Sequence, residues 1–375
     1  MANAPHNPPF RAELIGSLIR PDAIKAVRKA FEAGETDAAN MRDVESAEIK
    51  KVIALQEELG FKVVSDGELR RYSYYDSFTT HGITGMREGP DIRGKFAYHD
   101  KGGDVIGQRV PQIYDKVSWA GPTNVSDYEF AASCTKSAIV KMTVPGPAYI
   151  HFRAGRANIS EDIYPNLDDY WSDLVGAYHG EIKSLYDGGC RYFQIDETSI
   201  AKLGDPEIRA GLAERGDDWE QLLDTYIEAC NAVADGAPDD MAVGIHLCRG
   251  NKAGHWQAAG GYDDVAEKLF RNLRINTYFL EYDSERAGSF APLAALPDDK
   301  TVVIGAMTTK SAELETADAL KARIKEAAEF VDLDRLCISP QCGFSSSVEG
   351  VMNVEQQRAK LTRLIEVARE LWSDA

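Results

Sequence analysis

The sequence predicts an α/β fold, a (β/α)8 barrel, on three observations. Short apolar runs alternate with longer amphipathic stretches along most of the 375 residues. The apolar runs are continuous and rich in Val, Ile, Leu, Phe and Tyr, which favours strands buried on both faces of a parallel sheet. Eight such strands with helical connections are typical of a barrel with insertions. The alternative is an open doubly wound sheet, although the glycine-rich dinucleotide fingerprint does not follow the first strand.

The order of elements follows from these periods. We predict strands at 13–18, 62–66, 138–144, 192–196, 242–248, 278–282, 302–307 and 336–340. We predict helices at 22–33, 43–59, 167–187, 217–235, 262–271, 313–329 and 353–372. Residues 80–135 hold glycines, prolines, aromatic residues and short β-like runs, and we interpret them as a β-rich insertion between strands 2 and 3, over one end of the barrel. We expect residues 1–375 to form a single domain.

Composition excludes several classes of partner. The net charge is −18, so the chain should repel the phosphate backbone of nucleic acids. No run of eighteen uncharged apolar residues is present, and we therefore expect no membrane span. The first residues lack a basic segment followed by an apolar run, so a cytoplasmic location is expected. The assembly is open, and a homo-oligomer is one of the states allowed.

Polar residues cluster where five of the predicted strands end. They are Asp66 and Glu68, Asp196 and Glu197, His246 and Cys248, Glu281 and Asp283, and Cys342. In a barrel of parallel strands these ends face one mouth, which is where active sites form. The pattern therefore predicts an active site built from several strands.

One group of these residues has the chemistry of a metal site. His246 and Cys248 are alternate residues of one predicted strand, so they point to the same side. Imidazole and thiolate are preferred zinc ligands, Cys342 offers a second thiolate, and the carboxylate of Glu281 can complete the set. A set of this kind predicts a catalytic Zn2+ with one replaceable position. The competing interpretation is that these are satisfied core residues. The remaining cysteines lack partnered spacing and are read as packing residues, namely Cys134, Cys190, Cys230 and Cys337.

A second group suits a substrate with an ammonium group. Glu68 and Asp196 can hold an ammonium through charge-assisted hydrogen bonds. The alternative is that they pair with nearby cations, namely Arg70, Arg71, Arg249 or Lys310. At the end of the first strand, Ser17 follows a glycine and can contribute to binding a carboxylate.

The same residues carry a family resemblance. The segments are RAELIGSLIRP, SDGELRR, QIDETSIA, IHLCRGN, FLEYDSERAG and SPQCGF, spread from about residue 11 to 372. Together they resemble the catalytic half of cobalamin-independent methionine synthase, and more closely its short single-barrel relatives. The resemblance implies zinc ligands at His246, Cys248, Glu281 and Cys342. It also implies that homocysteine is held by Ile15, Ser17, Glu68 and Asp196, and that its zinc-bound thiolate attacks an alkyl donor.

One departure from the family concerns the donor. The family carries a proton-donating histidine in a D-I-H-S segment after the seventh strand, where this chain reads AMTTKS. Lys310 is the residue there that could serve as the acid, provided that its pKa is depressed. Folate is a poor leaving group without an acid, so a methyl-corrinoid is considered as the methyl donor beside folate.

The leading hypothesis is therefore zinc-dependent methyl transfer to homocysteine, forming methionine. The alternative resembles epoxyalkane:coenzyme M transferase, in which a zinc thiolate opens an epoxide. Its sulfonate thiol would require basic residues in the pocket, and the candidates are Arg20, Arg70, Arg71, Arg249 and Lys310. A zinc-storage protein and a metal-free decarboxylase of the uroporphyrinogen type are further options. The first disagrees with an open ligand set, and the second does not need the His246, Cys248 and Cys342 group.

Overall fold

The fold is α/β, as predicted, and its strands and helices are resolved in a computed structural model that describes residues 8–92, 96–100, 103, 105–346 and 350–375. The strands are β1 (Val63–Val64), β2 (Ile83–Ile92), β3 (Tyr98–His99), β4 (Val105–Ile106), β5 (Gln108–Trp119), β6 (Ile139–Val140), β7 (Met142–Pro145), β8 (Tyr192–Asp196), β9 (Ala242–Leu247), β10 (Thr277–Glu281), β11 (Thr301–Met307) and β12 (Leu336–Pro340). The helices are α1 (Asp22–Glu32), α2 (Ala38–Leu59), α3 (Val125–Cys134), α4 (Tyr149–Ala154), α5 (Leu167–Asp187), α6 (Pro206–Glu214), α7 (Trp219–Ala234), α8 (Ala266–Asn272), α9 (Ala317–Ala327) and α10 (Val354–Leu371).

A parallel sheet of six strands forms the centre of the fold. Its order is β12-β11-β10-β9-β8-β7, so consecutive strands lie side by side. At one edge, β6 continues into β7 through Lys141 and pairs in parallel with β1. At the other edge, Ala12 forms a parallel bridge with Ile338 of β12. The described residues form no ladder between residues 11–18 and β1, where a single backbone hydrogen bond of 2.9 Å joins the N–H of Leu18 to the carbonyl of Gly67.

The predicted strand at 13–18 is wrong beyond the bridge at Ala12. This segment has the apolar composition of a strand, but its carbonyl groups are used elsewhere. Four consecutive carbonyl oxygens accept hydrogen bonds from outside any ladder: Leu14 from Lys141 Nζ, Ile15 from Gln194 Nε2, Gly16 from Ser65 Oγ, and Ser17 from the backbone N–H of Phe344. Because these polar groups are already satisfied, the segment does not need a neighbouring strand.

Both faces of the sheet are buried. In β10, Tyr278 and Leu280 belong to the large apolar cluster between sheet and helices, whereas Phe279 belongs to a smaller cluster on the opposite face. This explains why the strands read as continuous apolar runs without alternation. In the part of the chain that the structure describes, no helix is both long and apolar enough to cross a membrane.

The predicted helices are present, with shifted ends in several cases. α5 has the predicted bounds, 167–187. α2 begins five residues before the predicted start, because the side chain of Asp37 caps it by accepting the N–H of Asn40 at 2.8 Å. Three short helices were not predicted, namely α3, α4 and α6. For α6 a signal was present, since Asp205 caps the helix and Pro206 occupies its first position.

Residues 80–135 are only partly β-structure. β2 pairs with β5 and β3 pairs with β4, both antiparallel. The prediction of a β-rich segment is wrong for its last part, because α3 spans Val125–Cys134. Residues 93–95, 101–102 and 104 of the predicted insertion lie outside the described residues.

Candidate active site

A single narrow pocket collects most of the predicted site residues at the carboxyl ends of the strands. Seven of them line it: Ile15, Ser17, Glu68, Asp196, His246, Cys248 and Cys342. The sheet register explains this, since Asp196 at the end of β8 lies opposite His246 in β9. The space between the atoms of its walls is about 400 Å³, including the part that is open to solvent. Glu281 and Lys310 are not among the described residues that line it.

Three side chains in the pocket are arranged so that they could hold a metal ion. The ligand atoms of His246, Cys248 and Cys342 all lie within 4.8 Å of one another, and all three residues are buried. The two sulfur atoms are 3.7 Å apart. Neither ring nitrogen of His246 has a hydrogen-bond partner among the described residues. A buried imidazole normally has its nitrogens satisfied, so the competing interpretation of a satisfied core histidine is not supported.

The electrostatics of this group favour one thiolate. The hydrogen bond from the Cys342 thiol, with the nearby His246, lowers the pKa of Cys248 well below its usual value. The same hydrogen bond, together with burial, raises the pKa of Cys342. Burial acts to lower the pKa of His246, but Cys248 outweighs it and the pKa is raised. Mutual stabilisation of this kind is expected of thiol and imidazole groups held close together.

Glu281 lies outside this group of three, in an ion-pair network. Lys310 Nζ is 3.1 Å from Glu281 Oε1, and Arg286 donates to the same oxygen. The backbone N–H of Arg249 donates to Glu281 Oε2 at 2.6 Å. Burial acts to raise the pKa of this carboxyl group, but Lys310 and Arg286 outweigh it and the pKa is lowered. Lys310 and Arg286 also line a larger outer cavity of about 1050 Å³.

The acidic end of the pocket contains two buried carboxyl groups. Glu68 Oε1 accepts a hydrogen bond from Thr143 Oγ1 at 2.8 Å, whereas its Oε2 has no partner among the described residues. Asp196 Oδ1 accepts from Gln194 Nε2 at 2.7 Å, and burial raises the pKa of Asp196 to about 7. A Cβ atom at Gly16 would lie 2.6 Å from Glu68 Oε1, so the glycine gives this carboxylate its space.

Of the basic residues named as alternative partners, Arg71 does pair with Glu68, its Nη1 lying 3.6 Å from Oε1, and the arginines also have structural roles. Arg20 donates to the backbone carbonyls of Glu68 and Arg71, and Arg71 donates to the carbonyl of Thr143. Arg249 donates to the carbonyl of Gly260. Arg70 pairs with Asp127 at 2.7 Å. No arginine or lysine is among the described residues that line the pocket.

Several pocket residues were missed from the sequence, among them Tyr74, Tyr98 and Asn251. Asn251 lies within the IHLCRGN segment, so its position was a usable signal. Its Nδ2 donates to Thr309 Oγ1 at 3.0 Å and to the carbonyl of Gly343 at 3.1 Å, and it thereby connects the segments that follow β9, β11 and β12. Tyr98 comes from β3, and nothing in its local sequence points to the pocket.

Comparisons with known proteins agree with the sequence resemblance. A family described as the catalytic domain of cobalamin-independent synthase matches residues 10–370. The chain is 37% identical to the uncharacterized protein YxjH of Bacillus subtilis strain 168 over 97% of its own length and 95% of that protein. It is 24% identical to the 5-methyltetrahydropteroyltriglutamate--homocysteine methyltransferase of the same organism, over 95% of this chain and only 42% of that enzyme.

Solved structures share the fold. A candidate vitamin-B12-independent methionine synthase from Listeria monocytogenes is 33% identical, with a TM-score of 0.74 and coverage of 97% of this chain and 98% of that one. A B12-independent methionine synthase from Shewanella sp. W3-18-1, in complex with selenomethionine, is 18% identical, with a TM-score of 0.73 and coverage of 96% and 98%. From its sequence match and its site, this chain belongs to the family of cobalamin-independent synthase catalytic domains.

Proposed function

We propose that this protein transfers a methyl group to the thiol of homocysteine, forming methionine, and that it does so with a catalytic zinc ion. The observation that carries the proposal is the pairing of two groups in one pocket. The His246, Cys248 and Cys342 group and the buried carboxyl groups of Glu68 and Asp196 line the same pocket. An amino-acid thiol has the matching chemistry, with sulfur at one end and an ammonium at the other.

The donor set fits zinc. Two thiolates on one tetrahedral zinc ion, each at about 2.3 Å, are about 3.8 Å apart, and the sulfurs of Cys248 and Cys342 are 3.7 Å apart. Neither ring nitrogen of His246 has a hydrogen-bond partner among the described residues, and one of them would be the third ligand. Zinc, when bound, would lower the pKa of the substrate thiol and hold it as a nucleophilic thiolate at neutral pH.

Glu281 remains the proposed fourth ligand, with a replaceable position. Its contacts with Lys310 and Arg286 would have to be shared or exchanged when it reaches the metal. Lys310 remains the proposed acid because its ammonium lies beside Glu281, the proposed fourth ligand. The same ammonium also faces the outer cavity. A methyl-corrinoid has a better leaving group than folate, so its methyl transfer depends less on proton donation by this lysine.

The acceptor is proposed from the charges that line the pocket. Glu68 Oε2 is buried without a partner among the described residues and can accept from an ammonium. Ser17 and the backbone near Ile15 line the same pocket, and we propose that they hold the carboxylate. The Shewanella relative in complex with selenomethionine is consistent with a methionine-sized ligand. Coenzyme M, the alternative acceptor, carries a sulfonate and would meet two carboxyl groups in place of basic residues.

The fold and domain organisation extend the same proposal. We propose that the parallel strands close into a (β/α)8 barrel. Ala12 bridges to β12, the sheet continues from β12 to β7, and β6, which continues into β7, pairs with β1. We also propose one domain, since buried apolar residues from Ala12 to Trp372 form one cluster.

Calorimetric titration of the zinc-loaded protein tests the proposal. Homocysteine and coenzyme M are each titrated in two buffers of different ionisation enthalpy, so that protons released by thiolate formation are counted. We expect homocysteine to bind with about one proton released and coenzyme M to bind weakly. Proton-releasing binding of coenzyme M alone would reject the homocysteine assignment and favour epoxide opening. A protein that binds no zinc would reject both.

A further inference from the structure

Tyr98 forms a wall of the pocket beside the metal-binding group. It lies in β3 and is buried among the residues that line the pocket. A Cβ atom at Gly250 would lie 2.9 Å from Tyr98 Cε1, so the ring packs against a glycine two residues beyond Cys248. The ring therefore lies close to the metal-binding group, where the substrate sulfur is proposed to bind.

Arg153 holds the ring itself, and two backbone hydrogen bonds of the next residue hold its strand. Arg153 Nη2 donates to Tyr98 Oη at 3.1 Å, and the guanidinium carbon lies 5.4 Å from the ring centroid. The next residue, His99, exchanges two backbone hydrogen bonds of 2.8 Å with Trp256. Trp256 belongs to the loop that follows β9, the strand that carries His246 and is followed by Cys248. The position of Tyr98 is thus tied to the segment that presents two of the proposed ligands.

A fixed ring at this place restricts what the substrate sulfur can carry. In the proposed function the sulfur lies at the metal end, so an alkyl group attached to it must share that end with Tyr98. The ring of Tyr98 packs against Gly250 and is held by Arg153, and closely packed walls do not yield to an added methylene without strain. A methyl group is therefore the largest alkyl group that this wall accommodates without displacement of the ring.

We propose that Tyr98 is a specificity-determining residue that limits the alkyl group on the acceptor sulfur to a methyl group. This inference rests on the proposed function. It also disfavours epoxide opening, since the hydroxyalkyl thioether formed there is larger than a methyl thioether.

Binding of S-alkyl homocysteines to the zinc-loaded protein tests this inference without a methyl donor. Methionine, ethionine and S-propylhomocysteine are titrated by calorimetry into the wild type and three variants. For Tyr98→Ala we expect the ratio of the Kd of S-propylhomocysteine to that of methionine to fall by about tenfold or more. Tyr98→Phe keeps the ring and should keep the ratio. Tyr98→Leu should give an intermediate ratio, and it serves if the alanine variant does not fold.

The control is Tyr75→Ala, which removes a neighbouring tyrosine ring that stacks on Tyr149 at 5.4 Å and is not among the described residues lining the pocket. Its ratio should match that of the wild type. An unchanged ratio in Tyr98→Ala, or an equal fall in Tyr75→Ala, would overturn the inference while leaving the proposed function intact. A wild-type protein that binds neither homocysteine nor methionine would overturn both.

Discussion

The two ends of the parallel strands both contain buried charged groups, but these groups differ in whether they have hydrogen-bond partners within the protein. Toward the amino ends, Lys141 Nζ lies 3.1 Å from Glu13 Oε2 and also donates to the carbonyl of Leu14. Glu13 Oε1 accepts from Tyr192 Oη at 3.1 Å and from the N–H of Phe10 at 2.9 Å. This network is satisfied within the protein.

At the carboxyl ends, polar atoms are buried without partners. His246 lacks a partner at both ring nitrogens, and Glu68 lacks one at Oε2, among the described residues. Burial of a charge therefore does not by itself indicate a functional site in this fold. Single unsatisfied atoms also occur elsewhere in the described part of the chain, for example Tyr170 Oη. What marks this site is that several of them converge on one pocket, where a ligand or metal can supply the missing partners.

The largest expected effect comes from disrupting the Lys141–Glu13 network at the amino ends of the strands. Lys141→Met leaves Glu13 buried without its cation, and removal of one partner of a buried pair costs about 3–5 kcal/mol of stability. Urea unfolding should show this loss while the zinc content of the folded protein is unchanged. The double variant Glu13→Gln with Lys141→Met should regain part of the stability. A single variant within about 1 kcal/mol of wild type would show that this pair is not a structural network.

The next largest effect is expected from removing a ligand of the metal-binding group. Zinc binding by four ligands is worth about 10–16 kcal/mol, or about 2.5–4 kcal/mol for one ligand, so Cys342→Ser should weaken zinc binding by about 70- to 900-fold. Competition with a chelator measures the affinity. Cys337→Ser is the matched control, because Cys337 is buried in β12 on the opposite side of the sheet from the large cluster and lies outside the metal-binding group. Equal zinc affinity for both variants would contradict the assignment of the ligands.

A second buried histidine, His151, extends the comparison with His246. His151 Nδ1 is 2.9 Å from Tyr226 Oη, and burial lowers the pKa of His151 to about 4. Between pH 6.5 and 4 the unfolded chain gains a proton that the folded chain does not, so stability should fall as the pH falls, by about 3 kcal/mol. In His151→Gln this part of the pH dependence should be absent. His81→Gln, at an exposed histidine, should keep it, and equal slopes in wild type and His151→Gln would argue against a neutral buried His151.

The smallest expected effect concerns substrate binding at the acidic end. Glu68→Gln keeps the size of the side chain and its acceptor for Thr143, but it removes the negative charge 3.6 Å from Arg71 Nη1. Urea unfolding is therefore measured beside binding, to account for the stability lost with this buried pair. Loss of a charge-assisted hydrogen bond should raise the Kd of homocysteine by about 10- to 100-fold. Calorimetry with the zinc-loaded variant measures this. Unaltered homocysteine affinity would remove Glu68 from the acceptor site.

Local sequence patterns predicted those helices and strands well whose formation depends mainly on residues adjacent in sequence. The bounds of α5 and β8 match the prediction, because amphipathic period and apolar composition are properties of the segment itself. The segment 13–18 shows the limit. Its composition is that of a strand, yet Lys141, Gln194 and Ser65, distant in sequence, take its carbonyl groups.

The sequence by itself determined the α/β class, the family and a set of reactive residues at strand ends, because these are carried by local periods and short motifs. Only the tertiary structure decided which of them share a pocket. It brought His246, Cys248 and Cys342 together, placed Glu281 with Lys310, and added Tyr98 from β3. The physical reason is that ligand distances and hydrogen-bond satisfaction depend on strand register and side-chain packing between segments far apart in the chain, and neither is written in any one segment.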